Sequence, residues 1–439
     1  MYSDKVQKKL AAAGASIGDT ISITVEGKSY EGILMPRTEM GDINCIILKL
    51  KNGYNVGILS DRVEKIAVIE KMTKKIEEPK VIGVKKSAKD KIVILGCGGT
   101  IASKIEYKTG GVFPAITPEE LIASFPDLAN KKFKSRILFN LFSEDFNPQI
   151  WQEIAEETAK EIKDGAKGVI LMHGTDTMHY TSAALSFMLR TPVPIILVGA
   201  QRSSDRGSSD NLSNMMSAVE LAESDIAEIG ICMHGTSNDD FCYFHPGTKV
   251  RKMHTSRRDA FQTINRKPIA KVFWEEKKIE ILGPYTTRGK QKLEIDTKLN
   301  PNVVLIYTYP GIQPEFIEKI VGMFDGIVIA STGLGQVSAN LSNHPKVKAL
   351  VPTIKSAIER GIPIVIAPQT IYGRINLNVY APGRMLDEAG VIGNYCDWTP
   401  ETALVKLMWV LGHTRDMKKI KSMMLTNYAG EISERSEIV

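Results

Sequence analysis

Three short runs in this chain place residues where nucleophilic catalysis could occur. The first is Leu95-Gly96-Cys97-Gly98-Gly99-Thr100-Ile101-Ala102, in which glycines let backbone approach a ligand and put the Thr100 hydroxyl on an exposed turn. A phosphate loop would need G-x-x-x-x-G-K-[ST], which is absent, and a dinucleotide loop would need a glycine where Ile101 stands. The second run is His173-Gly174-Thr175-Asp176-Thr177-Met178. Its hydroxyls and carboxylate could serve catalysis or simply cap the helix that follows. The third is KVRKMHTSRRDAFQT, which holds Lys252. A threonine hydroxyl is a weak nucleophile at neutral pH and needs a base, and lysine can supply one when burial or nearby cations depress its pKa. Lys249, Arg251, Arg257 and Arg258 crowd the same stretch, so the residues alone do not choose among the cations.

These runs need elements to hold them. From Lys91 onward, KIVIL, KGVILM, VPIILVG, NVVLIYTY, DGIVIAS and IPIVIAP are apolar, β-rich runs of the kind found in buried parallel strands. Helices lie between several of them. One starts at Asn147-Pro148 and carries Ile150, Trp151, Ile154, Thr158 and Ile162 at helical spacing. Repeated β-α units predict a parallel sheet with its ligand site at the carboxyl ends of the strands, where GGT and HGTDT both fall. The polar stretch around 284–300 divides this α/β region into two lobes. Before it, DTISITVEG, YEGILMP, INCIILKL and NVGILS alternate apolar and polar residues and predict a small all-β barrel. Such a barrel can bind RNA or protein, or only pack. The stretch KMTKKIEEPKVIGVKKSAKD holds seven lysines and three acids, and reads as a solvated linker or a basic strap near phosphates. The organisation expected is a barrel over 1–75, a basic linker over 76–90, and α/β lobes over 91–290 and 291–439.

The totals set outer limits. With 439 residues, 43% hydrophobic and 24% charged, the chain can bury a sizeable core, and a net charge of +6 permits an anionic partner without requiring one. Cys45, Cys97, Cys232, Cys242 and Cys396 form no C-x-x-C pair, and their odd number precludes a full disulfide framework, which fits a reducing compartment. The N-terminus lacks the apolar core of a signal peptide, and no apolar run approaches the roughly 20 residues of a membrane span. A cytoplasmic protein with no membrane association is expected. His173, His179, His234, His245 and His254 show no metal-ligand spacing, and no G-x-S-x-G anchors a serine hydrolase.

Together, GGTIA and HGTDTM resemble the two signature motifs of the bacterial-type asparaginase family, in the same order and at a similar separation. The family's catalytic lysine stands nine residues before a phenylalanine, as Lys252 stands before Phe261. The resemblance runs from about Lys91 to near the C-terminus. It implies two asparaginase-like lobes and an amidohydrolase with Thr100 as nucleophile, releasing ammonia through an acyl-enzyme. It assigns Thr175, Asp176 and Lys252 to a second cluster, in which Lys252 tunes the Thr175 hydroxyl and Asp176 also holds the substrate's α-ammonium. Tyr107, in EYKTGG, matches the tyrosine of the family's flap. Ser143, in FSEDFNP, matches the residue that binds the substrate α-carboxylate, with Asp145 as its acidic partner. The resemblance implies no metal or organic cofactor, and further site residues supplied by a neighbouring subunit. The chain departs from the commoner pattern at Cys97, where threonine is usual; a small buried residue in the turn is the plain role for it.

Two features narrow the resemblance. About 90 residues precede the GGT strand, and HGTDTM continues into His179-Tyr180-Thr181, where many free asparaginases carry an acidic pair. In this, and in GTDTMHYTSAALSFMLR, VGAQRSSDRGSSDN and APQTIYGRINLNVYAPGRM, the chain is similar to the D subunits of archaeal-type glutamyl-tRNA(Gln) amidotransferases. Such subunits hydrolyse glutamine or asparagine and pass ammonia to a partner E subunit, which uses ATP and Mg to convert glutamyl-tRNA(Gln) to glutaminyl-tRNA(Gln). The resemblance therefore implies an α2β2 assembly around a homodimer of this chain. The alternatives are a free cytosolic L-asparaginase with an added barrel, and a non-catalytic RNA- or protein-binding module.

Overall fold

The computed structural model describes residues 2–36, 42–50, 55–71, 88–99, 103–105, 112–114, 131–202 and 209–435. Thr100, Tyr107 and most of the basic stretch 76–90 lie outside them.

The N-terminal region opens with a helix, α1 (Asp4–Ala12), added to the all-β pattern expected there. Ser3 caps it, and Val6 and Leu10, four residues apart on one face, enter an apolar core with Ile21, Ile23, Leu34, Ile46, Leu48 and Ile58. Five antiparallel strands supply that core: β1 (Thr20–Val25), β2 (Lys28–Leu34), β3 (Cys45–Leu50), β4 (Asn55–Leu59) and β5 (Val63–Glu70). Their order is β4-β3-β2-β1-β5, so the two edge strands are consecutive in the chain, joined by one 3-10 turn over Ser60–Arg62. In a flat sheet four interstrand steps would put those edges roughly 19 Å apart. Three residues of 3-10 turn rise only about 6 Å. The sheet must curl into a barrel, and the Lys9 ammonium ties α1 across it by donating to the Ser60 carbonyl at 2.6 Å.

The first α/β lobe is built on an eight-stranded sheet. Its parallel part comprises β6 (Ile92–Gly98), β9 (Phe133–Leu141), β10 (Gly168–Met172), β12 (Ile195–Val198) and β13 (Ile229–His234). Three antiparallel strands extend it beyond β13: β14 (Cys242–Pro246), β17 (Ala270–Phe273) and β18 (Lys278–Ile281). Two short hairpins stand outside the sheet, β7 (Ser103–Ile105) with β8 (Val112–Pro114), and β15 (Val250–Lys252) with β16 (Phe261–Thr263). The helices α2 (Pro148–Lys163), α3 (Met178–Met188) and α4 (Asn211–Glu223) cover the faces. Helix α2 starts at the Asn147-Pro148 signal: the Asn147 side chain accepts from the Ile150 amide at 3.1 Å, and Trp151, Ile154, Thr158 and Ile162 are buried.

The second lobe has a three-stranded parallel sheet of β20 (Val303–Tyr307), β21 (Gly326–Ser331) and β22 (Ile364–Pro368). Helices α5 (Pro314–Val321), α6 (Val351–Glu359), α7 (Ala381–Ala389), α8 (Pro400–Leu411) and α9 (Met417–Leu425) surround it. The connecting stretch 284–300 runs along the first lobe, where β19 (Glu294–Ile295) pairs with β11 (Leu189–Arg190). The lobes are fused by one continuous core in which α3 meets α8, with Phe187 stacked on Trp409 at 6.2 Å. At the linker's end, Ala88 is fully buried in this same core and its amide donates to Asp164 at 2.6 Å, so the chain is anchored before β6 begins.

Candidate active site

Strand order decides where a ligand can enter. The five parallel strands run β9-β6-β10-β12-β13, so the chain leaves β6 toward one edge and returns to its other side at β10. Loops leaving the carboxyl ends of β6 and β10 therefore diverge, and a crevice opens between them. Gly98-Gly99 and His173-Gly174-Thr175 are those two loops.

They touch backbone to backbone. Gly98 and Gly99 have φ of +101° and +85°, a region that only glycine adopts without strain. A Cβ on Gly99 would lie 2.3 Å from the Gly174 nitrogen, and one on Gly98 would lie 2.2 Å from the Leu141 carbonyl oxygen. Gly174 in turn has room for no side chain, because a Cβ there would meet the Ser143 Cβ at 2.8 Å. Ser143, buried in the 3-10 turn Ser143–Asp145 after β9, is thereby packed against the junction of the two motifs. Asp145 ends that turn with an exposed side chain. Cys97 is fully buried behind Gly98, and burial pushes its thiol up to about 12, which leaves it neutral and inert.

The second cluster is assembled from elements far apart in sequence. The Lys252 ammonium donates to the Thr175 hydroxyl at 2.9 Å and to the Asp176 carboxylate at 2.6 Å. Thr175 and the Lys252 side chain are almost entirely buried, whereas 66% of the Asp176 side chain is exposed and free to meet a ligand. The Lys-x8-Phe spacing has a structural cause: Lys252 and Phe261 are direct cross-strand partners in the β15–β16 hairpin. Phe261 is fully buried and anchors the strand opposite the lysine.

The structure also separates the crowded cations. Lys249 pairs with Asp397, Arg251 with Glu401, Arg257 with Asp259 and Arg258 with Asp239, whereas the Lys252 amine is the one held by Thr175 and Asp176. Helix capping is not what HGTDT does. Thr177 stands at the N-cap of α3 without a side-chain cap bond, and its hydroxyl donates instead to the Ser143 carbonyl at 2.5 Å.

Two buried histidines shape the loop without belonging to the expected site. His173 Nδ1 lies 2.6 Å from the Gly174 carbonyl and Nε2 lies 2.9 Å from the Thr181 hydroxyl, which fixes the turn before Thr175. Burial pulls its pKa down to about 4, so it braces the loop as a neutral imidazole. His179 is pulled down to about 3 by burial and then by the neighbouring Arg251 and Lys252 charges. A further polar network supports the adjoining loop after β12: the Asp210 carboxylate accepts from the Gln201 and Arg202 amides, and Asn214 links Asp210 to His234. His173 opens the HGTDTM motif and His179 follows it directly, but their bracing roles depend on burial, which the motif alone does not show. Among the described residues, no group of three or more His, Cys, Asp or Glu is placed to hold a metal ion. A cavity of about 550 Å³ opens at the amino ends of the strands, lined by Arg190, Glu228, Arg266, Tyr285 and Tyr428, and involves no candidate residue.

Comparison with known proteins places this geometry. Residues 91–286 match the asparaginase N-terminal family, residues 302–424 the glutaminase/asparaginase C-terminal domain, and residues 15–69 the GatD N-terminal domain. The fold is similar to the thermostable L-asparaginase from Thermococcus kodakarensis, with a TM-score of 0.69 and 32% identity, covering 78% of this chain and 99% of that one. L-asparaginase I from Vibrio cholerae is similar with a TM-score of 0.64 and 28% identity, over 78% of this chain and 99% of its own. Other relatives match over the N-terminal region as well. The D subunit of the glutamyl-tRNA(Gln) amidotransferase from Pyrococcus furiosus is 48% identical over 98% of each chain. The corresponding D subunit from Methanobrevibacter smithii is 44% identical over 100% of this chain and 98% of its own. With asparaginase-type lobes behind a matching N-terminal barrel, this chain belongs to the GatD family, the D subunits of glutamyl-tRNA(Gln) amidotransferases.

Proposed function

We propose that this chain is the amide-hydrolysing subunit of a tRNA-dependent amidotransferase, taking glutamine or asparagine and supplying ammonia for the conversion of glutamyl-tRNA(Gln) to glutaminyl-tRNA(Gln). The observation that carries the reading is the Lys252 ammonium bonded to both Thr175 and Asp176, beside a Gly99–Gly174 contact one peptide bond from Thr100. In this reading the Thr100 oxygen attacks the side-chain amide carbon and the C–N bond breaks. The hydroxyl proton ends on the leaving nitrogen, which departs as ammonia. Water then attacks the acyl-enzyme, releasing the free acid and restoring the hydroxyl.

Lys252 tunes the Thr175 hydroxyl, to which its side-chain nitrogen is hydrogen-bonded. Asp176, exposed at the crevice, meets the substrate's α-ammonium. Ser143 meets its α-carboxylate with Asp145 beside it, and Tyr107 takes the role of the family's flap tyrosine. This chain binds no cofactor of its own. ATP and Mg serve the partner E subunit, in an α2β2 assembly with a homodimer of this chain at its centre, in the cytoplasm. No helix among the described residues is long and apolar enough to cross a membrane.

The likeness to solved L-asparaginases supports a second reading, a free asparaginase carrying a barrel. Amide hydrolysis by the purified chain, measured alone and then with the partner and glutamyl-tRNA(Gln), separates the two. The amidotransferase reading expects weak activity that rises on both additions. Vigorous asparagine hydrolysis indifferent to both would overturn it.

A further inference from the structure

Lys252 can act on Thr175 only if a three-residue strand holds still. Strand β15 stands outside the main sheet and, among the described residues, pairs only with the equally short β16. Its fixed points come from the second lobe. Lys249, one residue before β15 and fully buried, places its ammonium 2.7 Å from the Asp397 carboxylate and 3.0 Å from the Asp397 carbonyl. Arg251, inside the strand, donates through Nε to Glu401 at 2.9 Å, and the Glu401 side chain is only 4% exposed. Asn265, just after β16, donates to the Asp397 carbonyl at 2.9 Å and the Gly373 carbonyl at 3.1 Å. The Thr402 hydroxyl donates to the Thr248 carbonyl at 2.9 Å. Asp397, Glu401 and Thr402 lie in the approach to α8 and in its first turn.

Alternation along a strand gives these contacts a direction. Side chains of successive residues leave opposite faces, so a pull on Arg251 sets the roll of β15 and hence the aim of Lys252. Tyr180 of α3 and Tyr307 of β20 both feel the Arg251 and Glu401 charges. Burial, followed by the Glu401 charge, pushes both phenols up and keeps them neutral. The Glu401 side chain is almost entirely buried, so breaking the pair leaves its carboxylate charge without a partner and out of water.

We propose that Glu401 and Asp397 are positioning residues for amide hydrolysis: the second lobe aims Lys252 at Thr175 through Arg251 and Lys249. This rests on the reading of Thr175, Asp176 and Lys252 as a catalytic cluster. It makes the second lobe part of the first lobe's chemistry, although none of its residues in these contacts touches Thr175 or Asp176.

The test is Glu401→Gln in the full chain, assayed with the partner and glutamyl-tRNA(Gln). Expected is a fall in kcat for glutamine hydrolysis of about tenfold to a hundredfold, the scale of an ångström-sized misplacement, with KM within about twofold. Glu401→Asp, which keeps the charge, should recover most of the loss. Amidation driven by ammonium chloride should match the wild-type complex. Asp397→Asn strands a buried ammonium and can fail to fold, so Glu401 carries the test. Wild-type kcat in Glu401→Gln, or a loss that tracks only the folded fraction, would overturn the proposal. A wild-type chain that hydrolyses no amide would instead overturn the functional reading beneath it.

Discussion

The two α/β lobes are made of the same parts, and only one of them carries the candidate chemistry. In the first, strand order reverses between β6 and β10, and two glycine loops meet at the reversal with Ser143 packed on them. In the second, β20, β21 and β22 follow one another in simple sequence, and no reversal separates their loops. The site is thus a consequence of connectivity more than of sheet type. What the second lobe supplies is fixation, through Asp397 and Glu401, which hold the hairpin that brings in Lys252.

Paired glycine substitutions should break this comparison most sharply. Gly99→Ala drives a methyl into the Gly174 backbone and forces a positive φ on alanine. It should cost about 3 kcal/mol or more of stability and abolish amide hydrolysis. Gly361, in the second lobe with φ +86°, has nothing within 4 Å of a built Cβ. Gly361→Ala should cost only about 1 kcal/mol and leave hydrolysis intact. Thermal midpoints and glutaminase rates of the two variants check this, and equal effects would contradict the idea of a specially tight junction.

A second effect distinguishes the lobes by pH. Burial pulls His173 down to about 4 and His179 and His245 to about 3, and all three belong to the first lobe. The unfolded chain takes up these protons near 6.5, whereas the folded chain resists them until near 4 and below. Their contribution to stability is therefore complete above pH 6.5 and is lost as pH falls toward 3, at about 1.4 kcal/mol per pH unit for each histidine. Unfolding midpoints between pH 7 and pH 5 measure the slope. His245→Gln should flatten it by one proton's worth, and an unchanged slope would show that His245 does not stay neutral when folded.

Much of this is legible in the sequence, and the remainder has identifiable causes. The apolar runs KIVIL, KGVILM and IPIVIAP announce their strands because strands buried on both faces leave no polar interruptions. Strand β9 does not announce itself, since Lys134 and Arg136 interrupt it to reach Glu161 and Glu157 on α2. The antiparallel extension by β14, β17 and β18 is hidden in runs of four or five residues. Helix α1 escapes the all-β expectation although Ser3, Val6 and Leu10 carry its cap and its spacing. At the site, residues alone do not choose Lys252 over Lys249 or Arg251. That distinction is tertiary, made by carboxylates such as Asp397, 148 residues from Lys249 along the chain.

The central claim is that this chain makes ammonia at Thr100 with the help of Lys252, for use elsewhere. The most direct measurement is amidation of glutamyl-tRNA(Gln) by complexes carrying Thr100→Ala or Lys252→Met, with glutamine and then with ammonium chloride as nitrogen donor. The account predicts that glutamine-driven amidation collapses by about a hundredfold or more in both variants while ammonium restores the wild-type rate. Failure of ammonium to rescue, or undiminished glutamine-driven amidation, would contradict it.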